Sequence, residues 1–398
     1  RFLVRSCGST VILCTATQPL LNSEILGKRA LLISQEQQMV PDVRKLFEEL
    51  KRVMVYDRRT VGGWTNQEVA QLVGEELNET GSVLIIVNTK KAAVSLFGQV
   101  QNNPKAKVYH LSTNMCPSHR MKVLDEIKNC LSTKQSVICV STQLIEAGVD
   151  IDFGSVIRYV AGLDSIAQAA GRCNRNGARP GYGRVIIINP QEENLDKLKD
   201  IVIGKNKAER VLEEFKTDSD QFEGDILGLR AMERYYQYYF FDRKEDMSYK
   251  VGPNSEAGRS DNLFELLSTN GQSVQAFQRK NLFSPGLPLR QSFMTAAKIF
   301  QAIDALTRGV IVPYGEEGRR IIGELCAGKN LDKQNNLLKE AQRYSVNVYC
   351  NQFNELIKLK IIHEVQEGTG IFYLDEQYYS EEYGISISKV NDMETLTF

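Results

Sequence analysis

The run Gln168-Ala169-Ala170-Gly171-Arg172-Cys173-Asn174-Arg175 sets two arginines three residues apart behind a glutamine. Read as a helix, it places Arg172 and Arg175 on neighbouring positions of one face, where both can point at a single anionic target. Arginine suits that work, because its permanently charged planar fork contacts two phosphate oxygens at once and stabilises charge as a phosphoryl group leaves. Taken alone, two such arginines describe a solvated helix face equally well. A second element shifts the balance. Ser141-Thr142-Gln143-Leu144-Ile145-Glu146-Ala147-Gly148-Val149-Asp150 follows directly on the apolar run Val137–Val140, which reads as a strand. In an open α/β sheet, ligands bind beyond the carboxyl ends of the strands, where the hydroxyls of Ser141 and Thr142 and the Gly-x-Asp finish would stand. There Thr142 can donate to a nucleic-acid phosphate, Gly148 leaves room for close backbone approach, and Asp150 can accept from a ribose hydroxyl. A capped helix and a turn is the plainer reading of the same residues.

Those residues need a scaffold, and the sequence supplies one. Short apolar runs recur at Val53–Tyr56, Val83–Val87, Val137–Val140, Val156–Val160 and Val185–Ile188, with helix-like segments between them. Runs that are apolar on both faces are expected of parallel strands covered by helices on each side. Thr65-Asn66-Gln67-Glu68 has capping-box spacing and predicts a helix to about Thr80, while Lys90–Gln101 and Pro117–Cys130 read as two more. The expectation is a doubly wound α/β domain over residues 24–205. Earlier, Thr10–Cys14 reads as one strand of a further domain, ending in Thr15-Ala16-Thr17-Gln18-Pro19, so residues 1–23 are taken as a remnant of that domain. Residues 206–290 read as a helical linker, with an aromatic cluster (Tyr235, Tyr236, Tyr238, Tyr239, Phe240, Phe241) better suited to packing than to base stacking. Within it, residues 248–290 have the composition of a mobile connection. Residues 291–398 read as a small α+β domain with a hairpin over Ile361–Leu374, turned at Glu367-Gly368-Thr369-Gly370.

Composition bounds the function. The 398 residues carry 49 Lys plus Arg against 49 Asp plus Glu, so any attraction for nucleic acid must come from a local surface. No apolar run approaches the ~18 residues of a membrane-spanning helix, and a cytosolic protein is expected. The eight cysteines include no C-x-x-C pair and are expected to be buried free thiols. Three histidines, none followed by aspartate, make a complete metal-dependent nuclease centre within this chain an unfavourable reading. The chain opens at Arg1 with no initiator methionine, and further sequence upstream is expected.

The order and spacing of these elements resemble the superfamily 2 helicases, whose motors are two RecA-like domains with ATP in the cleft between them. The resemblance implies that Arg172 and Arg175 are arginine fingers, with Gln168, Gly148 and Asp150 near the nucleotide. It implies that Thr142, Ser141 and Thr89 contact the nucleic-acid backbone, Thr89 within Val87-Asn88-Thr89, and that Thr15, Ala16 and Thr17 couple hydrolysis to movement. A finer resemblance, to the CRISPR-associated helicase-nucleases of type I systems, rests on four segments. They are Val87–Ala92, His110–Arg120, Gln143–Phe153 and Ala170–Gly177, with Arg290–Phe293 and Val312–Gly315 echoing that family's later domains. It implies a RecA-like motor domain, a helical linker and a small C-terminal domain, with ATP and Mg²⁺ as cofactors and a divalent transition metal in an upstream nuclease domain. It further implies single-stranded DNA and an RNA-guided surveillance complex as partners, and no membrane. Another RNA or DNA helicase, or a non-enzymatic DNA-binding accessory, are the alternatives.

One departure matters. A phosphate-binding loop needs G-x-x-x-x-G-K-[S/T], and the near match Gly323–Asn330 ends in asparagine after a helix-like segment instead of a strand. It reads as a decoy, so this chain alone is expected not to hydrolyse ATP.

Overall fold

The structure is a computed structural model. It describes the chain except for residue 1, 16–26, 28–29, 32, 244–245, 247, 286–289, 302–306, 329–330 and 391–398. The chain divides into two compact units, one of residues 42–232 with 306–398 and the other of residues 1–41 with 233–305. Helix α1 (Phe2–Cys7) belongs to the second unit; after α2 (Val43–Glu49), the first unit builds six strands: β1 (Val53–Asp57), β2 (Ser82–Ile86), β3 (Lys107–Leu111), β4 (Val137–Ser141), β5 (Ser155–Tyr159) and β6 (Gly183–Ile188). All their pairings are parallel, in the order β1-β6-β5-β2-β4-β3.

The helices between them are α3 (Asn66–Thr80), α4 (Lys90–Val100), α5 (Pro117–Ser132) and α6 (Leu163–Ala170). Each begins where its sequence allows. Thr65 and Glu68 close a reciprocal capping box at α3, the Thr89 hydroxyl accepts from Ala92 N at α4, and Pro117 opens α5, where its missing N–H costs nothing. Alternation along the strands sorts the core onto two faces. Val83, Ile85, Ile138 and Val140 pack with Leu72, Val73 and Leu96 of α3 and α4, while Leu84, Ile86, Val137 and Cys139 pack with Val123 and Ile127 of α5. This is the expected doubly wound sheet. The sequence reading lacked β3, whose Lys107 and His110 interrupt the apolar pattern; β3 lies at the sheet edge, with Lys107 exposed.

The boundary expected at residue 205 falls inside α7 (Lys199–Thr217), which buries Ala208, Val211 and Leu212 and continues the first unit. Beyond α8 (Leu229–Asp242), the second unit contains a short ladder of β7 (Lys250–Val251) with β8 (Asp261–Asn262), then α9 (Leu263–Leu267), α10 (Gly271–Asn281) and α11 (Phe293–Ile299). Part of what reads as a mobile connection is thus regular structure, tied down by Asn270, whose amide donates to Arg290 O and Ser292 Oγ, both at 2.8 Å. Within the aromatic cluster Tyr235 and Tyr236 are buried, as packing residues should be. The chain then returns to the first unit through β9 (Thr307–Ile311), α12 (Gly315–Ala327), α13 (Leu331–Ala341), β10 (Ser345–Tyr349), α14 (Cys350–Lys358), β11 (Ile362–Glu364) and β12 (Phe372–Leu374). Four of these form a mixed sheet, β10-β9-β12-β11, including the expected β11/β12 hairpin. Helix α12 runs through Gly323 to Ala327 and is capped by Gly328, so the described part of the phosphate-loop near match is a helix end.

This C-terminal sheet is fastened to α5. His119 stacks on Tyr314 with ring centroids 4.2 Å apart, and it hydrogen-bonds Tyr379 Oη at 2.9 Å and Glu381 O at 3.0 Å. Ile385 N donates to Asn114 O at 3.0 Å within the short pair β13 (Tyr379–Ser380) and β14 (Gly384–Ile385). Two expectations fail. Thr10–Cys14 forms no strand, and Val11, Ile12 and Leu13 are exposed. The cysteines divide instead of all being buried: Cys116, Cys130, Cys139 and Cys173 are buried, while Cys7, Cys14 and Cys326 are exposed.

Candidate functional site

The carboxyl ends of β2, β4 and β5 gather the residues that the sequence singles out. Thr89 caps α4 just beyond β2. Thr142 follows β4, with its own N–H donated to Leu111 O at 3.1 Å, and leads into the single 3₁₀ turn Gln143–Ile145. The Ser141 hydroxyl is turned inward: it is fully buried, within 3.1 Å of Leu111 O and 2.9 Å of Thr142 O, which makes it a brace for the strand end and not a surface contact. Gly148 adopts φ +73°, a left-handed turn that suits glycine, and the chain then exposes the Asp150 carboxylate.

The arginines are not on a helix. Helix α6 stops at Ala170 with Gly171 as its cap, and Gln168, half-buried, is the one member of the run's polar set that remains helical. What carries the chain on from that cap is long-range. Phe153 N donates to Arg172 O and Asn174 N donates to Phe153 O, an isolated parallel bridge, while Asn174 takes φ +46° and turns the chain. Asp152 then accepts from the main-chain N–H of Arg175 at 2.8 Å and of Asn176 at 3.1 Å. This strap places the two guanidinium groups in different environments. Arg172 is buried, donating from Nε to Ile145 O at 2.9 Å and from Nη2 to Glu146 O at 2.6 Å. Burial and the neighbouring Arg175 charge hold its pKa below the ordinary arginine value. Arg175 is 40% exposed, and its Nε lies 3.0 Å from Asp150 Oδ1. Three sequence-named residues, Arg172, Arg175 and Asp150, therefore meet on one loop surface.

Beneath them lies a buried polar cluster that the sequence reading lacked. Arg158, wholly buried on β5, sets Nε 3.0 Å from Glu146 Oε1 and donates from Nη1 to Asn88 Oδ1 at 2.6 Å and Tyr159 O at 2.7 Å. Its Nη2 donates to Ser165 Oγ at 2.9 Å, and Ser165 Oγ bonds the Glu146 carboxylate. Burial pushes the Glu146 pKa up, with Arg158 opposing it. Glu193 closes the far side, accepting from the N–H groups of Asn88 and Thr89 at 2.8 and 2.9 Å. The only signal for this cluster in the sequence is a charged residue inside an otherwise apolar strand, Val156-Ile157-Arg158-Tyr159.

Thr15 has no regular structure, and Ala16 and Thr17 lie outside the described residues. Among the described residues no group of three or more His, Cys, Asp or Glu side chains could hold a metal ion, and no helix is long and apolar enough to cross a membrane. For a nucleotide the donor set is suitable: two guanidinium groups beside a carboxylate, on the loops that leave the carboxyl ends of parallel strands, match triphosphate and ribose chemistry.

Residues 79–178 match the family model described as the C-terminal region of the CRISPR-associated nuclease/helicase Cas3. A CRISPR-associated nuclease/helicase Cas3 of Methanothermobacter thermautotrophicus is 28% identical over 165 residues, 40% of this chain and 19% of that protein. One from Haloferax volcanii is 47% identical over 78 residues, 18% of this chain and 8% of that protein. The chain thus matches less than a fifth of the length of these two relatives. In fold, it resembles a crystal structure titled CRISPR-associated protein, with TM-score 0.51 and 14% identity over 88% of this chain and 42% of that one. It also resembles the ADP complex of T. fusca Cas3, with TM-score 0.50 and 12% identity over 84% of this chain and 43% of that one. Residues 79–178 thus match the Cas3-like C-terminal family model, and in fold the chain is similar to solved Cas3 structures.

Proposed function

We propose that this chain is the second motor domain, with its C-terminal extension, of an ATP-dependent translocase that moves along single-stranded DNA in type I CRISPR antiviral defence. One observation carries the reading: Arg172, Arg175 and Asp150 come together on the loops at the carboxyl edge of the sheet, where Thr89 is half-buried and Thr142 buried. In this role Arg175 and Arg172 reach the γ-phosphate from across a domain interface, and Asp150 orients the ribose or releases Arg175 to the phosphate. ATP with Mg²⁺ supplies the hydrolysable bond. The phosphate loop that holds it belongs to a partner motor domain, as does the transition-metal nuclease to a further domain of the complete protein. Thr89 and Thr142 hold the DNA backbone, Gln168 lies near the nucleotide, and Thr15, Ala16 and Thr17 belong to the coupling segment. Recruitment by an RNA-guided surveillance complex completes the reading.

The test is ATP turnover by the complete gene product with single-stranded DNA or single-stranded RNA of the same sequence. Stimulation by DNA well above that by RNA is expected. Equal or greater stimulation by RNA would point to an RNA-remodelling helicase instead, and no turnover to a non-catalytic DNA-binding accessory.

A further inference from the structure

Arg158 has no assigned part in the reading above, yet it is a fully buried guanidinium and costly to desolvate. A guanidinium with no solvent exposure, in the middle of a parallel sheet, loses hydration that its neighbours must replace. Its neighbours replace it in a particular way. The Nε edge faces Glu146, on the loop whose carbonyls at Ile145 and Glu146 are gripped by Arg172. The Nη1 edge holds the side-chain oxygen of Asn88, the residue that joins β2 to Thr89. Nη2 reaches Ser165 on α6, which also bonds Glu146. A second link runs in parallel, from Gln143 Nε2 to Asn88 O at 3.1 Å.

These contacts connect two chemistries. On one side, the Arg172 fork spends two donors on loop carbonyls; a phosphate that competes for those donors would free or pull the loop carrying Glu146. On the other, Asn88 and Thr89 sit at the proposed DNA backbone contact. A rigid planar fork, ion-paired with Glu146 at its Nε edge and donating to Asn88 and Ser165 from Nη1 and Nη2, passes a displacement of Glu146 to Asn88, where an apolar side chain of similar volume would let the two move separately.

We propose that Arg158 is a positioning residue that couples the nucleotide side of the domain, through Glu146 and Arg172, to its nucleic-acid side, through Asn88 and Thr89. The proposal rests on the motor reading above. Arg158 touches neither nucleotide nor DNA; it sets whether occupancy at one site is felt at the other.

The experiment compares the complete gene product with its Arg158→Gln and Arg158→Lys variants, measuring basal ATP turnover, single-stranded DNA affinity and the ratio of DNA-stimulated to basal turnover. Lysine keeps the charge but loses the fork, so it tests the geometry even if the glutamine variant fails to accumulate. Basal turnover and DNA affinity within about threefold of the unaltered protein, with the stimulation ratio falling close to one, is the expected result. Unchanged stimulation in a folded variant overturns the proposal. So does a parallel fall of all three quantities in Arg158→Lys, which would mark a purely structural role. If the unaltered product itself shows no DNA-stimulated turnover, the motor reading fails and the coupling proposal falls with it.

Discussion

Arg175 Nε lies 3.0 Å from Asp150 Oδ1, joining the last arginine of one element to the last acid of another, 25 positions away along the chain (175 − 150). Side-chain exposures of 40% and 80% make the pair a weak one energetically, readily opened by a competing phosphate. Arg172, three residues earlier, is committed to buried carbonyls.

That contrast predicts separable effects. Arg175→Ala should change unfolding free energy by no more than about 0.5 kcal/mol while lowering ATP turnover of the complete protein on the order of 10³-fold. Arg172→Ala should lose turnover and also about 1.5–3 kcal/mol of stability, because it strands the Ile145 and Glu146 carbonyls. Denaturant titration beside a turnover assay checks both; equal destabilisation by the two variants would contradict the placement.

The buried pair predicts an asymmetry in stability. Glu146→Ala leaves the Arg158 charge without its carboxylate and should cost about 3–5 kcal/mol. Replacing both residues together with methionine should cost much less, because the desolvation of both charges disappears with them. A double variant as unstable as Glu146→Ala would show that the pair contributes more than it costs.

The clamp on the C-terminal sheet predicts acid sensitivity. Burial lowers the pKa of His110 and of His119 from 6.5 to about 4 in the folded protein. Between those values the unfolded chain binds protons that the folded chain does not, so stability falls as pH drops from 6.5 toward 4, by up to about 1.4 kcal/mol per pH unit for each histidine. Urea midpoints at pH 7.5 and 5.0 should show the loss, and His110→Asn should show less of it. A midpoint that does not move would contradict the burial of these rings.

Local signals were legible in the sequence where local physics decides. The valine and isoleucine runs marked five of the six parallel strands, and Thr65 with Glu68 marked the start of α3, because burial on both faces and capping are short-range patterns. Edge strand β3 was hidden because its exposed Lys107 and its buried but polar His110 break the pattern. The path beyond α6 was illegible for another reason. Gly171 is a local stop signal, but the bridge of Cys173 to Phe153, twenty positions away (173 − 153), which takes the chain on from it, cannot be read from neighbouring residues. Likewise Arg158, Glu146, Asn88 and Glu193 come from four segments, and only the adjacency of β6, β5, β2 and β4 in the sheet makes them one cluster.

The proposal that the motor needs a second domain is tested most directly by ATP turnover of residues 1–398 alone, beside the complete gene product. Turnover only by the complete product, stimulated by single-stranded DNA, is the predicted result. Hydrolysis by this chain alone would contradict it, because a triphosphate would then be held by residues to which the account gives no such role.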